Sequence, residues 1–178
     1  FFNHTTPYEM LRSLVGSEMC IRDSMYFQLS DSVLLMIGER KDELGGSVYY
    51  SLHDKLGSNV PKPDFEEVKN QIFALTDCIN NGLVLSCHDI ADGGIASAIS
   101  EMTFGSGIGC NVKIENDLST DKILFSETGG FVCEVSPENV ESVQSVFSKY
   151  RLDAIQIGST GGDKIQLNGL MLEGLLFI

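Results

Sequence analysis

Residues 85–95, Leu-Ser-Cys-His-Asp-Ile-Ala-Asp-Gly-Gly-Ile, constrain the fold of this chain more than any other stretch. Their pattern predicts a short buried strand that carries His88, Asp89 and Asp92 to the glycine-rich start of a helix. In α/β proteins, phosphates and metal ions bind where strands end and helices begin, because free backbone N–H groups and the helix dipole point there. The stretch therefore predicts an α/β domain with a candidate anion or metal site at this junction.

Hydrophobic spacing predicts the remaining elements. Apolar runs predict strands, and apolar residues at steps of three and four predict helices. The predicted strands cover residues 33–38, 83–87, 108–114, 131–135, 154–157 and 164–167. The predicted helices cover residues 64–82 and 94–104, and a third helix opens at residues 136–138 with Ser-Pro-Glu. About six strands interleaved with three main helices imply an α/β domain of α+β character, in which a mixed sheet is layered with helices.

The three helices also have predicted inner faces. In the first helix, Asp64 and Glu67 have the spacing of a capping box, and Gly82 lies where the helix would end. Its predicted buried stripe consists of Phe65, Val68, Ile72, Leu75 and Ile79. The predicted buried residues of the other two helices are Ile95, Ile99 and Met102, and Val140, Val143 and Phe147.

Charge and cysteine content exclude several kinds of partner. The formal net charge is −13 and the acids are spread along the chain, so nucleic acid and anionic membranes would both repel it. No apolar run approaches the ~20 residues that a membrane-spanning helix needs. The five cysteines form no CxxC pair, which favours a reduced, cytoplasmic setting over disulfides or zinc. A phosphate compound would therefore be bound through local backbone N–H groups or Mg²⁺.

The junction at residues 88–94 has two interpretations. In the functional one, Asp89 is a Mg²⁺ ligand, and Gly93 and Gly94 let the backbone approach a phosphate, because hard cations take carboxylate oxygens and share phosphates. In the structural one, Asp92 caps the helix, Asp89 forms a turn and His88 is a semi-buried residue with satisfied hydrogen bonds. The local sequence leaves both interpretations open.

Two further runs contain paired glycines. Residues 39–47 end in Gly45, Gly46 and Ser47, which can form an anion-binding nest at a helix start. The alternative is a solvated charged loop whose glycines only serve a turn. In residues 124–131, Glu127 either faces a site or belongs to a plain connection between strands. Neither run is a P-loop or a dinucleotide-binding fingerprint.

The N-terminal residues differ from the rest. Residues 13–24, Ser-Leu-Val-Gly-Ser-Glu-Met-Cys-Ile-Arg-Asp-Ser, resemble a translated sequencing-adapter contaminant. The region also lacks the basic and apolar parts of a signal peptide. We therefore expect residues 1–24 to be non-native and a single α/β domain to occupy residues 25–178.

Four stretches together resemble the phosphoribosylformylglycinamidine synthases, a family of purine biosynthesis. They are residues 38–47, 88–109, 124–135 and 157–163, in the order expected for the family's small, multi-subunit form. The resemblance implies the C-terminal-type domain of the aminoimidazole ribonucleotide synthetase superfamily, as one piece of a longer ATP-dependent ligase. It also implies that ATP and Mg²⁺ activate an amide oxygen, which ammonia then replaces to give an amidine.

The resemblance implies partners and residue roles as well. The expected partners are upstream domains of the same enzyme, a glutaminase subunit and a small accessory subunit. The family's catalytic His belongs to other domains, so no catalytic residue is assigned here and the isolated chain is expected to be inactive. Asp89 matches a Mg²⁺ ligand of the family's large form. The predicted nucleotide- or phosphate-binding residues are Ala91, where relatives have a nucleotide-contacting Ser, with Gly93, Gly94, Gly45, Gly46 and Ser47.

Two alternatives remain. The chain could belong to another ATP-using member of the superfamily, such as a kinase or a synthetase. It could also be a non-enzymatic, ferredoxin-like ligand-binding module, which should fold alone and bind a small ligand without an upstream partner.

Overall fold

A computed structural model describes residues 24–172, which form one mixed sheet with helices on both faces. The sheet has seven strands in the order β2-β4-β1-β5-β3-β6-β7, and each neighbouring pair is antiparallel except β3–β6. The strands are β1 (Val33–Ile37), β2 (Ser86–Asp89), β3 (Cys110–Val112), β4 (Phe131–Val135), β5 (Ala154–Thr160), β6 (Ile165–Leu167) and β7 (Leu170–Leu172). The predicted layered α/β fold is thus confirmed, with one strand more than expected.

Five α-helices connect the strands within residues 24–172. They are α1 (Val48–Ser51), α2 (Phe65–Asn80), α3 (Gly94–Phe104), α4 (Thr120–Phe125) and α5 (Val140–Lys149), and a 3₁₀ turn, Pro137–Asn139, precedes α5. The short helices α1 and α4 were not predicted, because fewer than two turns leave almost no periodicity to detect. None of the helices in this part of the chain combines the length and the apolar character needed to cross a bilayer.

The central strand β1 separates two hydrophobic cores. Successive side chains of a strand point to opposite faces of the sheet, so Leu34 and Met36 enter one core and Leu35 and Ile37 enter the other. The first core packs against α3 and α4, and the second against α2 and α5. Because β1 is buried on both faces, it is a continuous apolar run rather than an alternating one.

Helix α3 follows the sequence closely, whereas α2 is rotated relative to its predicted face. Helix α3 begins at Gly94, and Ile95, Ile99 and Met102 are all fully buried, as predicted. In α2 the cap is confirmed, since Asp64 accepts hydrogen bonds from the amides of Glu66 and Glu67. The buried residues of α2 are Gln71, Ala74, Leu75 and Cys78.

The predicted stripe of α2 was therefore wrong for most of its length. Phe65 is 82% exposed and Ile72 is 48% exposed, and of the five predicted residues Leu75 alone is fully buried. Ala74 and Cys78 are small, so the helix can lie close to the sheet on their side. Phe65, Val68 and Ile72 turn away from that contact.

The segment at residues 24–32 is tied to the sheet by a buried carboxylate. Glu134 is fully buried on β4 and accepts hydrogen bonds from the amides of Gln28 (2.8 Å) and Leu29 (2.9 Å). It also accepts from the hydroxyls of Ser32 (2.8 Å) and Ser86 (2.7 Å). Residues 1–23, which carry most of the adapter-like stretch, lie outside the described residues, so that interpretation stays a prediction.

Candidate functional site

Strand β2 carries His88 and Asp89 to the end of the sheet. The predicted strand ended at Cys87, but β2 continues to Asp89, which pairs with Phe131 of β4. The suggestion that Asp89 forms a turn was therefore wrong. The side chain of Asp89 is 66% exposed, and its Oδ1 lies 3.6 Å from Nδ1 of His88. The exposed carboxylate can therefore reach a ligand while it stays beside the imidazole.

His88 precedes Asp89 on β2 and contacts it through its imidazole ring. Its side chain is 10% exposed, and Nδ1 lies 2.7 Å from the carbonyl oxygen of Asp89. A carbonyl can only accept, so this contact places a proton on Nδ1. Nε2 lies 3.0 Å from a carboxylate oxygen of Glu101, but the two groups lack the alignment of a hydrogen bond. The predicted semi-buried position of His88 is confirmed, but the prediction that its hydrogen bonds are satisfied was wrong, because Nε2 is buried without a hydrogen-bond partner among the described residues.

The turn between β2 and α3 depends on glycine. Gly93 and Gly94 both have positive φ, of 77° and 68°. A Cβ on Gly94 would lie 2.6 Å from the carbonyl oxygen of Leu124, so no larger residue fits there. The N-cap of α3 is Gly93, which has no side chain to offer, and Asp92 does not cap the helix. The prediction that Asp92 is an N-cap was therefore wrong.

The loop at residues 39–47 leads into α1, but its amides are already used. The amide of Gly45 donates to Asn59 (2.6 Å) and that of Gly46 donates to Leu56 (2.7 Å), in both cases to the carbonyl oxygen. Ser47 is the N-cap of α1, and its hydroxyl donates to the carbonyl of Leu44 at 2.7 Å. Phosphate binding by this loop would therefore require residues 56–59 to move.

One carboxylate joins the three glycine-containing runs. Oε1 of Glu127 accepts a hydrogen bond from the amide of Gly93, at the start of α3, and another from the amide of Val48, at the start of α1; both distances are 2.9 Å. Glu127 thus faces the start of α3, and its role at a functional site stays a prediction. The runs that were separate in sequence meet here within a few residues of Asp89.

Arg40 anchors the loop that holds Glu127. Its guanidinium is 2% exposed and donates to the carbonyl oxygens of Gly129 and Ser126. Burial lowers the pKa of Arg40 to about 10, so the side chain still carries its charge at neutral pH. Sequence reasoning missed Arg40, because an arginine between Glu39 and Lys41 belongs to a run that is typical of a solvated loop.

None of the cavities of about 740, 540 and 510 Å³ is lined by Asp89 or by another predicted site residue. One of about 510 Å³ lies beside β1, β3 and β5 and contains none of the predicted site residues. It is lined by two acids and two bases, Glu39, Glu115, Arg40 and Lys113, and Lys113 is already paired with Glu115 at 2.9 Å. The carboxylate of Asp89, in contrast, lies on an open surface, as a site shared between domains would.

A resident metal would need ligands beyond those that residues 24–172 supply. Within the described residues, no three or more His, Cys, Asp and Glu side chains are grouped so that they could hold a metal ion. Mg²⁺ in nucleotide sites commonly takes only one or two carboxylates, with phosphate oxygens and water completing its shell. Asp89 therefore fits Mg²⁺ as a single ligand of a shared ion.

Comparison with known proteins assigns the fold. Residues 30–168 match the family described as AIR synthase related protein, C-terminal domain. This chain belongs to that family. The mixed sheet layered with helices is thus the fold of an AIR-synthase-related C-terminal domain.

The curated relatives are much longer than this chain. Phosphoribosylformylglycinamidine synthase subunit PurL of Methanothrix thermoacetophila is 36% identical over 147 residues, which is 80% of this chain and 19% of the relative. The PurL subunit of Thermoplasma acidophilum is 35% identical over 165 residues, which is 90% of this chain and 21% of the relative. The chain spans about a fifth of the length of these relatives.

Solved structures show the same fold at lower identity. PurL of Thermotoga maritima complexed with FGAR has a TM-score of 0.69 and 18% identity, covering 84% of this chain and 27% of that one. The hydrogenase maturation protein HypE has a TM-score of 0.57 and 14% identity, covering 85% of this chain and 56% of that one. At these identities the likeness supports the fold alone.

Proposed function

We propose that this AIR-synthase-related domain is part of an ATP-dependent phosphoribosylformylglycinamidine synthase. The reaction converts formylglycinamide ribonucleotide, ATP and glutamine-derived ammonia into formylglycinamidine ribonucleotide. Support comes from the PurL subunits, which match 80–90% of the chain at up to 36% identity. A kinase or a stand-alone binding module of the same fold is less well supported, because these curated relatives carry the synthase name.

The proposed contribution of this domain is one half of a shared metal–phosphate site. A nucleotide supplies its phosphates and Mg²⁺ neutralises their charge. Asp89 would donate a carboxylate oxygen to the ion, and the start of α3 would present its dipole to the phosphates. Ala91 is exposed beside Asp89 but has no hydroxyl with which to contact a nucleotide. Gly93 and Gly94 would let the main chain approach a bound phosphate. Gly45, Gly46 and Ser47 would bind phosphate only if residues 56–59 moved.

The proposal also includes companions. Other domains of the same enzyme would cover the exposed end of β2, and a glutaminase subunit and a small accessory subunit would deliver ammonia. The solved assembly described as PurLQS from Thermotoga maritima, which shares this fold at a TM-score of 0.68, supports a multi-subunit enzyme. Neither a nucleic acid nor a membrane is proposed as a partner, and the proposed location is the cytoplasm.

The exposed carboxylate of Asp89 at the end of β2 carries this proposal, and Asp89→Asn in the full-length synthase tests it. Loss of one charged metal ligand should weaken binding of Mg²⁺–ADP by about tenfold in calorimetry. Asp92→Asn is the matched control, since Asp92 is an exposed acid three residues away that caps no helix. It should stay within about twofold of the wild type. Equal affinities for all three proteins would remove Asp89 from the site.

A further inference from the structure

Glu127 receives two backbone N–H groups that come from different loops. Both bonds end on the same oxygen, Oε1, at 2.9 Å from the amides of Gly93 and Val48. Gly93 is buried and Glu127 is half-buried, so water competes only weakly for the bond between them. Hydrogen bonds to an ionised acceptor are stronger than neutral ones. The carboxylate therefore ties the start of α3 to the start of α1.

The loop that carries Glu127 is itself held firmly. Arg40 donates to the carbonyl oxygens of Ser126 and Gly129, which lie on either side of Glu127. The carbonyl oxygen of Gly130 accepts from the amide of Ile90 at 2.8 Å, which ties the loop to the residue after Asp89. Because its backbone is fixed on both sides, Glu127 can hold the Gly93–Gly94 turn and the start of α1 in fixed positions.

Within the described part of the chain, Glu127 is the one residue whose side chain bonds to the turn before α3. Gly93 is the N-cap residue, and no side chain caps this helix. Gly93 and Gly94 both have left-handed conformations, and glycine is the residue with the widest choice of backbone angles. A main-chain bond from the amide of Gly94 to the carbonyl oxygen of Ala91 (3.0 Å) closes the turn, and the bond from Gly93 to Glu127 ties it to the loop that carries Glu127.

We propose that Glu127 is a positioning residue for a metal-bound nucleoside phosphate at Asp89. It holds the Gly93–Gly94 turn so that the carboxylate of Asp89 and the start of α3 face the same ligand. This inference rests on the proposed function, since it concerns the same site. Glu127 acts through the turn and does not itself touch the ligand.

A competing role for Glu127 predicts the opposite change in nucleotide affinity when its carboxylate is removed. If the carboxylate of Glu127 only occupied the place of a ligand oxygen at these two amides, its removal would free them and tighten phosphate binding. If it positions the turn, its removal weakens binding. The sign of the change in affinity therefore separates the two roles.

The test compares Glu127→Ala, Glu127→Asp and Glu127→Gln in the full-length synthase, with Mg²⁺–ADP as the probe in calorimetry. Glu127→Ala should weaken binding by about tenfold, because both accepted bonds are lost. Glu127→Asp is one methylene shorter and should behave like Glu127→Ala. Glu127→Gln keeps an acceptor oxygen and should bind within about threefold of the wild type. Glu141→Gln, at an exposed acid on α5, is the control and should have no effect.

Hydrogen–deuterium exchange gives a second measurement that needs no ligand. Glu127→Ala should speed exchange at the amides of Gly93 and Val48 together, while peptides of β4 stay unchanged. A rescue of both amides by Glu127→Gln would support positioning even if Glu127→Ala folds poorly. Unchanged exchange at either amide would overturn the inference.

The outcomes also separate this inference from the proposed function. If Asp89→Asn weakens nucleotide binding and Glu127→Ala does not, the positioning role fails and the shared site stands. If Glu127→Ala tightens binding, the positioning role fails in favour of the competing one. If the wild-type enzyme binds no Mg²⁺–ADP through Asp89, the proposed site fails, and the inference fails with it.

Discussion

Arg40 donates a hydrogen bond through Nη2 to the carbonyl oxygen of Gly129, and this buried contact holds together two loops that are far apart in sequence. The carbonyl of Ser126 accepts from the same guanidinium at 3.4 Å. A small side chain at position 40 would leave both carbonyls without a partner. The buried guanidinium of Arg40 thus holds the loop of residues 126–129 in place. The charged run around Arg40 in the sequence does not indicate this role.

We predict that Arg40→Ala lowers the free energy of unfolding by about 3 kcal/mol, because buried acceptors lose their donor and a cavity remains. Lys41→Ala is the neighbouring control and should change it by less than about 0.5 kcal/mol. Urea denaturation followed by circular dichroism measures both values. Equal stabilities of the two variants would show that the guanidinium contacts contribute nothing net.

The sequence predicts those parts of the fold whose burial is set by long apolar runs. Strands β1 and β4 are buried on both faces, so their composition alone identifies them. Helix α3 has its apolar residues on the side that meets the sheet. Helix α2 fails this test, because its contact face contains Gln71, Ala74 and Cys78, while Phe65 is 82% exposed. The prediction from helical periodicity relied on the large apolar side chains of α2. A helix that lies close to a sheet needs small side chains at the contact.

The sequence predicts which loops form the candidate site. It does not predict the contacts between those loops. The glycine turn at Gly93 and the exposed Asp89 follow from local chemistry. The bond from Gly93 to Glu127 spans 34 residues, and the anchoring of its loop by Arg40 spans more than 80. Nothing local to either partner indicates these pairs, since each depends on the arrangement of the whole sheet.

Glu134 provides a second buried charge whose role can be tested. Its carboxylate accepts from two main-chain amides, those of Gln28 and Leu29, and from two serine hydroxyls. Glu134→Gln replaces one acceptor oxygen with an NH₂ group, which then faces a main-chain N–H that cannot reverse its role. We expect the free energy of unfolding to fall by about 2 kcal/mol.

Glu138→Gln is the matched control for this substitution, since Glu138 is exposed in the turn before α5. Its effect should stay within about 0.5 kcal/mol. Urea denaturation compares the two, and hydrogen exchange at residues 27–32 should rise for Glu134→Gln alone. A loss of stability without faster exchange there would contradict the role of Glu134 in holding this segment.

Buried thiols make the stability of this domain depend on alkaline pH. Burial raises the pKa of Cys110 from its ordinary value of 9.0 to about 12. Between these two values the unfolded chain loses the thiol proton and the folded domain keeps it, so stability falls as the pH rises. The contribution is fully present below pH 9 and is lost progressively up to about pH 12. Burial also raises the pKa of Cys78, to about 11, which acts in the same direction.

Cys110→Val separates this contribution from other titrations, because Arg40 and the tyrosines are the same in both proteins. A thiol that stays protonated in the folded state loses about 1.4 kcal/mol of stability at pH 10 relative to pH 7. We therefore expect the difference in unfolding free energy between wild type and Cys110→Val to shift by about this amount, in favour of the variant. Urea denaturation at the two pH values, with a reductant that prevents oxidation, measures the shift. A difference that does not change with pH would mean that Cys110 ionises equally easily in the folded and unfolded chains, which its burial within β3 argues against.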